Sequence, residues 1–303
     1  MKIAVLLVNY GQWDLARRCL DSLSASKGVD LLPLMVDNAS PSPPPSWVHG
    51  EPGLRFTALD RNSGFAEGNN RAFSMLGEDE ADYVFLLNTD AVVSPTAIRI
   101  LADFLESRPE ASAASAPVFY MSDPARVWSA GGRFMPARML LDQRYDTPRA
   151  CLPDAPVETD FATGCAMMVR AGVFGAMGGF RSDYFMYWED VEFCLRLKRA
   201  GGRVFLVPSA EVLHEVAACS GGPGSPVAIY YPFRNRFLLA KDVLGPVRRL
   251  AFHLYASAVV AAKSVIFPLS GRPGLVPVLW EAWRDGIRGV SGRWRRHPRG
   301  CAT

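Results

Sequence analysis

What the 303-residue chain lacks narrows it first. Its six cysteines, Cys19, Cys151, Cys165, Cys194, Cys219 and Cys301, form no C-x-x-C pair and no metal-finger spacing. They are read as reduced thiols of a cytoplasmic protein, neither a disulfide framework nor a zinc site. An excess of one charge is also missing: 33 Lys and Arg stand against 30 Asp and Glu, a net +3, too little to imply nucleic acid as a partner. No G-x-G-x-x-G follows the first apolar run, which argues against a dinucleotide-dependent oxidoreductase. Long uncharged apolar runs are scarce. Leu250 to Leu269 has about the length that crosses a bilayer at roughly 1.5 Å per residue. Lys263 near its middle, at a cost of about 2.5 to 3.5 kcal/mol on insertion scales, and Pro268 near its end favour an interfacial or buried hairpin over a span. The N-terminal run Ile3 to Val8 ends in Asn9-Tyr10-Gly11 with no small-residue cleavage site, so it reads as a first strand and not a signal peptide.

What is present is alternation. Ile3 to Val8, Leu31 to Val36, Leu54 to Leu59 and Tyr83 to Leu87 read as buried strands. Between and after them come helical patterns: Leu15, Cys19 and Leu23 on one face, a helix through about Met75, and one from Ser94-Pro95-Thr96 to about Ser107 with Ile98, Leu101 and Leu105 inward. Such alternation predicts an α/β fold, a doubly wound, mostly parallel sheet flanked by helices. Ligands of these sheets bind at the carboxyl ends of the strands, and polar residues gather there. Asn88-Thr89-Asp90 ends the fourth strand, where Asp90 suits a divalent cation held against a phosphate or, equally, the cap of the next helix. Asp37-Asn38 ends the second, suited to a base or ribose or to a simple Asx turn. Asn62-Ser63-Gly64, with Gly68 and Arg71 following, opens a helix whose freed N–H groups suit an anion or only a turn.

From residue 111 to 170 the runs shorten (Ala116 to Tyr120, Val157 to Phe161, Cys165 to Val169), with a poorly patterned insert at 136–156 read as a variable flap. Thr163-Gly164-Cys165-Ala166 brings small residues near the presumed site or, equally, makes a tight strand entry. Glu189 and Asp190 then stand at the N-terminus of a helix marked by Val191, Cys194, Leu195 and Lys198, an i,i+4 pair Glu192–Arg196 and a stop at Gly201. They either complement the helix dipole or act as bases, and the second role requires burial beside Tyr187 and Trp188 to lift their pKa. After a last strand, Gly202 to Pro208, His214 precedes the loop Cys219 to Gly224; a lone His there is more often structural, and beside a carboxylate already holding a metal it can supply an imidazole.

In order, Val8-Asn9-Tyr10, Val36-Asp37-Asn38-Ala39-Ser40, Asn62 to Asn70, Leu87-Asn88-Thr89-Asp90, Trp188-Glu189-Asp190-Val191-Glu192 and Val212-Leu213-His214 resemble family 2 glycosyltransferases, most closely the rhamnosyltransferase-like bacterial branch. The resemblance covers about residues 1–240. It implies a GT-A fold, a nucleotide-diphosphate-sugar donor, a divalent cation (Mg²⁺ or Mn²⁺) and inversion at the anomeric carbon. The donor half is expected at about 1–110 and the acceptor half at about 111–240. Carried over by position, Asp190 is the general base with Glu189 beside it, and Asp90 and His214 are the metal ligands. The nucleotide-sugar site takes Asn9, Tyr10, Asp37 (on the base), Asn38, Asn62, Gly64, Asn70, Arg71, Asn88 and Thr89. Two departures stand out. Asn88 replaces the first Asp of the D-x-D motif, and prolines replace the Asp-Gly usual after Ser40.

The implied activity is transfer of a sugar, first rhamnose from dTDP-rhamnose, to a hydroxyl of a glycan or lipid-linked acceptor in cell-surface polysaccharide synthesis. The alternatives are another donor sugar or a catalytically decayed nucleotide-sugar-binding scaffold; the second would have lost a key carboxylate, yet Asp90 and Asp190 remain. Nucleotidyl transfer would want a Gly- and Arg-rich loop after the first strand. The region 241–303 is read as a helical extension. Leu275, Leu279, Trp283, Ile287 and Val290 form an apolar stripe opposite Glu281, Arg284, Asp285 and Arg288, suited to an anionic leaflet, the catalytic domain or a second subunit of a homodimer. The arginines at 293, 295, 296 and 299 form a basic tail, either solvated or directed at an anionic surface. The implied location is the cytoplasm, peripheral on the inner membrane's cytoplasmic face.

Overall fold

The computed structural model describes residues 1–143, 146–216 and 224–297. The first part alternates as the sequence predicts: β1 (Lys2–Asn9), α1 (Trp13–Ser24), β2 (Asp30–Asp37), α2 (Ser46–Gly50), β3 (Arg55–Ala58), α3 (Gly64–Phe73), β4 (Tyr83–Asn88), β5 (Ala91–Val93), α4 (Ala97–Ser107) and β6 (Ala111–Ser115). A β-rich stretch follows: β7 (Val118–Tyr120), β8 (Arg126–Ser129), β9 (Gly132–Met135), β10 (Leu140–Gln143), β11 (Thr147–Pro148), β12 (Val157–Thr159) and β13 (Ala166–Arg170). The chain ends with α5 (Ala171–Ala176), α6 (Glu189–Arg199), β14 (Arg203–Leu206), β15 (Val212–His214), α7 (Pro226–Val243), α8 (Pro246–Leu269) and α9 (Leu275–Ile287).

Among the described residues, eight strands form the main sheet in the order β12-β14-β6-β13-β4-β1-β2-β3. The β3 to β4 half is parallel. Beyond it β13 runs antiparallel to both β4 and β6, because the chain enters β13 from the carboxyl edge of β4; Ala166 pairs with Leu87. That reversal places Thr163, Gly164 and Cys165 at the site edge. β4 is buried on both faces, Val84 and Leu86 in one core and Tyr83, Phe85 and Leu87 in the other, which is why it reads as an unbroken apolar run. A five-stranded sheet, β11-β8-β7-β15-β5, is the element the sequence reading lacked. Its strands have two to four residues, too short to show a period.

The C-terminal helices cover the face that already carries α3 and α6. Gly286 of α9 lies so close to α7 that a Cβ there would meet Phe237 at 2.5 Å. The stripe on α9 is rotated from the expected one. Leu275, Leu279, Ala282, Asp285 and Gly286 are buried, while Ile287 and Val290 are exposed. Asp285 turns inward because it accepts a hydrogen bond from Tyr230 Oη at 2.8 Å. The basic tail is not uniformly solvated either. Trp294 and His297 are buried between the exposed Arg293, Arg295 and Arg296; Arg299, Cys219 and Cys301 lie outside the described residues. α8 buries Phe252, Ala256, Val260 and Phe267 and exposes the opposite face.

Candidate active site

β4 ends at Asn88, and Asp90 sits in the turn before β5. β15 pairs antiparallel with β5, His214 opposite Ala91, and this register carries the imidazole to the turn. His214 Nε2 lies 2.9 Å from Asp90 Oδ1 and 3.4 Å from Asn88 Nδ2, with Trp128 against the ring at 4.5 Å between centroids. All of this is shielded: Asp90, His214 and Thr89 are buried. Asn88 Oδ1 and His214 Nδ1 are buried without a hydrogen-bond partner, and such atoms are costly unless a ligand uses them.

Glu189 and Asp190 begin α6 and line the same cavity. The carboxylate of Asp190 is held from both ends, Oδ2 accepting from Gly164 N at 3.0 Å and Oδ1 from Val191 N at 2.8 Å. Glu189 is buried and its Oε2 has no partner. Burial raises both carboxyl pKa values, and the neighbouring Asp190 charge raises Glu189 further, while backbone N–H groups pull Asp190 back down. The two carboxyls thus form one interacting pair, in which the neighbour's charge adds to burial at Glu189 and backbone N–H groups oppose burial at Asp190. The expected lift beside Tyr187 and Trp188 is present.

The loop before these carboxylates is strained. Phe185 (φ 65, ψ −62) forms a γ-turn of the uncommon positive-φ kind, with Met186 N donating to Tyr184 O at 2.8 Å, and Tyr187 and Trp188 also have positive φ. Conformations of this type cost about 1–3 kcal/mol each and persist only where the surroundings impose them.

Both clusters open into one cavity of about 450 Å³, a size suited to a small-molecule ligand. Asn88, Thr89, Asp90, His214, Glu189 and Asp190 line it, together with Trp128, Gln143 and Gly164. Cys165 also lines it, but burial and the Asp90 charge push its thiol well up, so no thiolate is offered.

The remaining expected residues divide into two groups. Asn9, Asp37, Asn38 and Asn62 are buried and hydrogen-bonded along the carboxyl ends of β1 to β3, and Tyr10 is buried beside them. Ser40 Oγ donates to Asp37 Oδ1 and accepts from Gly11 N at 2.6 Å. Asn38 Nδ2 donates to Asn62 Oδ1 at 3.2 Å, which also accepts from Gly64 N at 3.0 Å. Asn9 pairs with Asp37 and Val8 with Asn88, which sets this row beside the cavity along the sheet edge, but none of its residues lines the cavity itself. Burial raises the pKa of Asp37 against the opposing hydrogen bonds from Ser40 and Asn9.

Asn70 and Arg71 stand apart from it. The Asn70 amide is spent on Phe180, receiving from its N at 2.9 Å and donating to its O at 2.7 Å, while Arg71 is exposed and paired with Glu67 at 2.8 Å. The glycines of α3 serve packing. Ala66 N donates to Phe185 O, a Cβ on Gly64 would sit 2.3 Å from that oxygen, and one on Gly68 would sit 2.7 Å from Val8. The start of α3 is therefore occupied by the protein itself.

Two groups escaped the sequence reading. Trp128 lies in a four-residue strand with no period to flag it. Arg234 and Asn235, fully buried inside α7, did carry a signal: charge and amide amid Tyr230, Tyr231, Phe233, Phe237 and Leu238.

The profile of glycosyl transferase family group 2 matches residues 83–301. The chain belongs to that family. Over 261 residues, 78% of this chain and 83% of the relative, it is 30% identical to the N-acetylglucosaminyl-diphospho-decaprenol L-rhamnosyltransferase of Mycobacterium tuberculosis. It is 25% identical to rhamnosyltransferase WbbL of Escherichia coli K12, over 70% of this chain and 83% of that one. In fold it is similar to the mannosyltransferase PcManGT of Pyrobaculum calidifontis in complex with GDP-Man and Mn²⁺, with a TM-score of 0.59, 15% identity and coverage of 97% of this chain and 88% of that one. It is also similar to TarS of S. aureus, with a TM-score of 0.58, 13% identity and coverage of 96% and 81%. The enzyme is a glycosyltransferase of the rhamnosyltransferase-like kind on a GT-A fold, as the motifs implied.

Proposed function

We propose that this glycosyltransferase moves rhamnose from dTDP-rhamnose to a hydroxyl of a lipid-linked glycan acceptor, by single displacement with inversion, in cell-surface polysaccharide synthesis. The observation that supports the mechanism is that Asp90, paired with His214, and Asp190 line one cavity. The donor set fits a divalent cation. A carboxylate, an imidazole and the unpartnered Asn88 amide oxygen suit Mn²⁺ or Mg²⁺. Among the described residues no cluster of three or more His, Cys, Asp or Glu stands ready for a metal, so the donor diphosphate would complete the shell. Bound there, the cation would neutralise charge on the departing nucleoside diphosphate.

The chain's own residues do the rest. Asp190, fixed by Gly164 N and Val191 N, takes the proton of the acceptor hydroxyl as it attacks. Glu189, protonated, leaves that charge on Asp190. Asp37 and the row Asn9, Asn38 and Asn62 hold the nucleoside at the strand ends, and the hairpin β9–β10, through Leu141 and Gln143, faces the acceptor side. Rhamnose as donor is supported by the relatives' names, among them dTDP-rhamnosyl transferase RfbF of Shigella flexneri. The test is a panel of nucleotide sugars with Mn²⁺ or Mg²⁺, scored by release of the nucleoside diphosphate. We expect dTDP-rhamnose to lead; a different sugar in front rejects the donor, and silence from every sugar rejects the activity.

A lipid-linked acceptor calls for a membrane surface, and α8 offers one. Val247, Leu250, Leu254, Val265, Ile266 and Leu269 are exposed along its outer face, with Arg248 and Arg272 exposed at its ends. Pairing this face with a second copy would set cation against cation, whereas an anionic leaflet complements it. We therefore place the enzyme at the cytoplasmic face of the inner membrane.

A further inference from the structure

We propose that Arg234 and Asn235 are positioning residues for the catalytic carboxylates. This rests on the reading of Asp190 as the base. The Asn235 Nδ2 lies within hydrogen-bond distance of three carbonyls of the strained loop, Tyr184 O at 3.0 Å, Met186 O at 2.9 Å and Tyr187 O at 2.6 Å. Arg234 Nε donates to Asn235 Oδ1 at 2.6 Å, which turns the amide so that its N–H₂ faces the loop. The same guanidinium donates to Tyr184 O at 3.3 Å and reaches across to Val290 O and Gly292 O, each at 2.9 Å.

The far side is closed by the segment after α9. Gly292 N donates to Asp183 O at 2.6 Å, Trp294 stacks on Tyr230 at 4.5 Å, and His297 sits 3.2 Å from Tyr231 Oη and 5.4 Å from the Phe185 ring. From the opposite side α3 grips the loop through Ala66 N on Phe185 O. Residues 184–188 thus lead into Glu189 and Asp190 in a conformation the backbone avoids on its own, and the carbonyls of Tyr184, Met186 and Tyr187 share the two Asn235 amide hydrogens, with Arg234 adding a donor to Tyr184 O. Neither Arg234 nor Asn235 lines the cavity; their effect on the reaction passes through the loop.

The test uses the full-length enzyme and the isosteric Asn235→Asp, which removes the donor, alongside Arg234→Lys, which removes the Nε–H that orients the Asn235 amide. The expected result is a fall in kcat on the order of 100-fold, as a misplacement of about 1 Å can produce. The donor KM, donor binding and cooperative melting should be retained. In an Asp190→Asn background Asn235→Asp should add nothing further, since both act on one group. An unchanged kcat in both single variants overturns the proposal, and so does loss of donor binding together with cooperative melting, which would assign the pair to holding the fold. If Asp190→Asn alone retains full transfer, the reading of the base fails; if it abolishes transfer while Asn235→Asp does not lower kcat, only the positioning role fails.

Discussion

His214 Nε2 lies 2.9 Å from Asp90 Oδ1 although 124 residues separate them in the chain. The two meet because β15 inserts between β5 and β7, so the contact is a product of the small sheet and not of either motif. Replacing His214 by Ala should lower kcat/KM by roughly 100-fold, about 2.7 kcal/mol of transition-state stabilisation, and weaken Mn²⁺ binding measured by titration. Unaltered Mn²⁺ affinity would remove His214 from the metal site.

Asp190→Asn should cut transfer by about 10²- to 10⁴-fold, the usual worth of a general base, while donor binding by calorimetry stays intact. Because the Asp190 pKa is raised by burial, the acid limb of the wild-type rate profile should lie above the ordinary carboxylate range. An acid limb at or below that range would point to another base, Glu189 first.

Glu189 makes a linked prediction about stability. Its folded pKa is raised above the ordinary 4.5, so its protonated form contributes stability that is fully present below about pH 4.5 and is lost as pH rises toward the folded value. Glu189→Gln escapes that loss. The melting temperature of the variant minus that of the wild type should therefore increase as pH is raised from 4 to 8; a difference that is flat or falls with pH contradicts the buried, protonated assignment.

Gly286→Ala should destabilise the protein by about 1–3 kcal/mol, the ordinary cost of overpacking, because the new Cβ would meet Phe237. Thermal melting of the purified variant measures it. A neutral result would mean that α9 shifts away from α7 without cost.

On α8, Leu250→Glu with Leu254→Glu should abolish sedimentation with anionic vesicles and leave turnover of a soluble acceptor analogue unchanged. Retained sedimentation would move the membrane contact elsewhere, and a change of oligomeric state in the variant would assign the face to a second copy.

Much of this enzyme is legible in one dimension. Strand β4, buried on both faces, announces itself by an unbroken apolar run; α6 by its i,i+4 pair and glycine stop; and the polar residues at the strand ends by the abruptness with which those runs stop. These features are local, set by burial pattern and backbone chemistry within a few residues. The tertiary structure decided what depends on contacts between distant segments. It sent Asn70 to the Phe180 backbone and Arg71 outward, turned Asp285 of α9 inward to Tyr230, buried Glu189 and Asp190 side by side, and buried Arg234 and Asn235 against a loop some fifty residues earlier. A side chain's type states what it can bond to. Which partner it finds is set by register, and no local period encodes that.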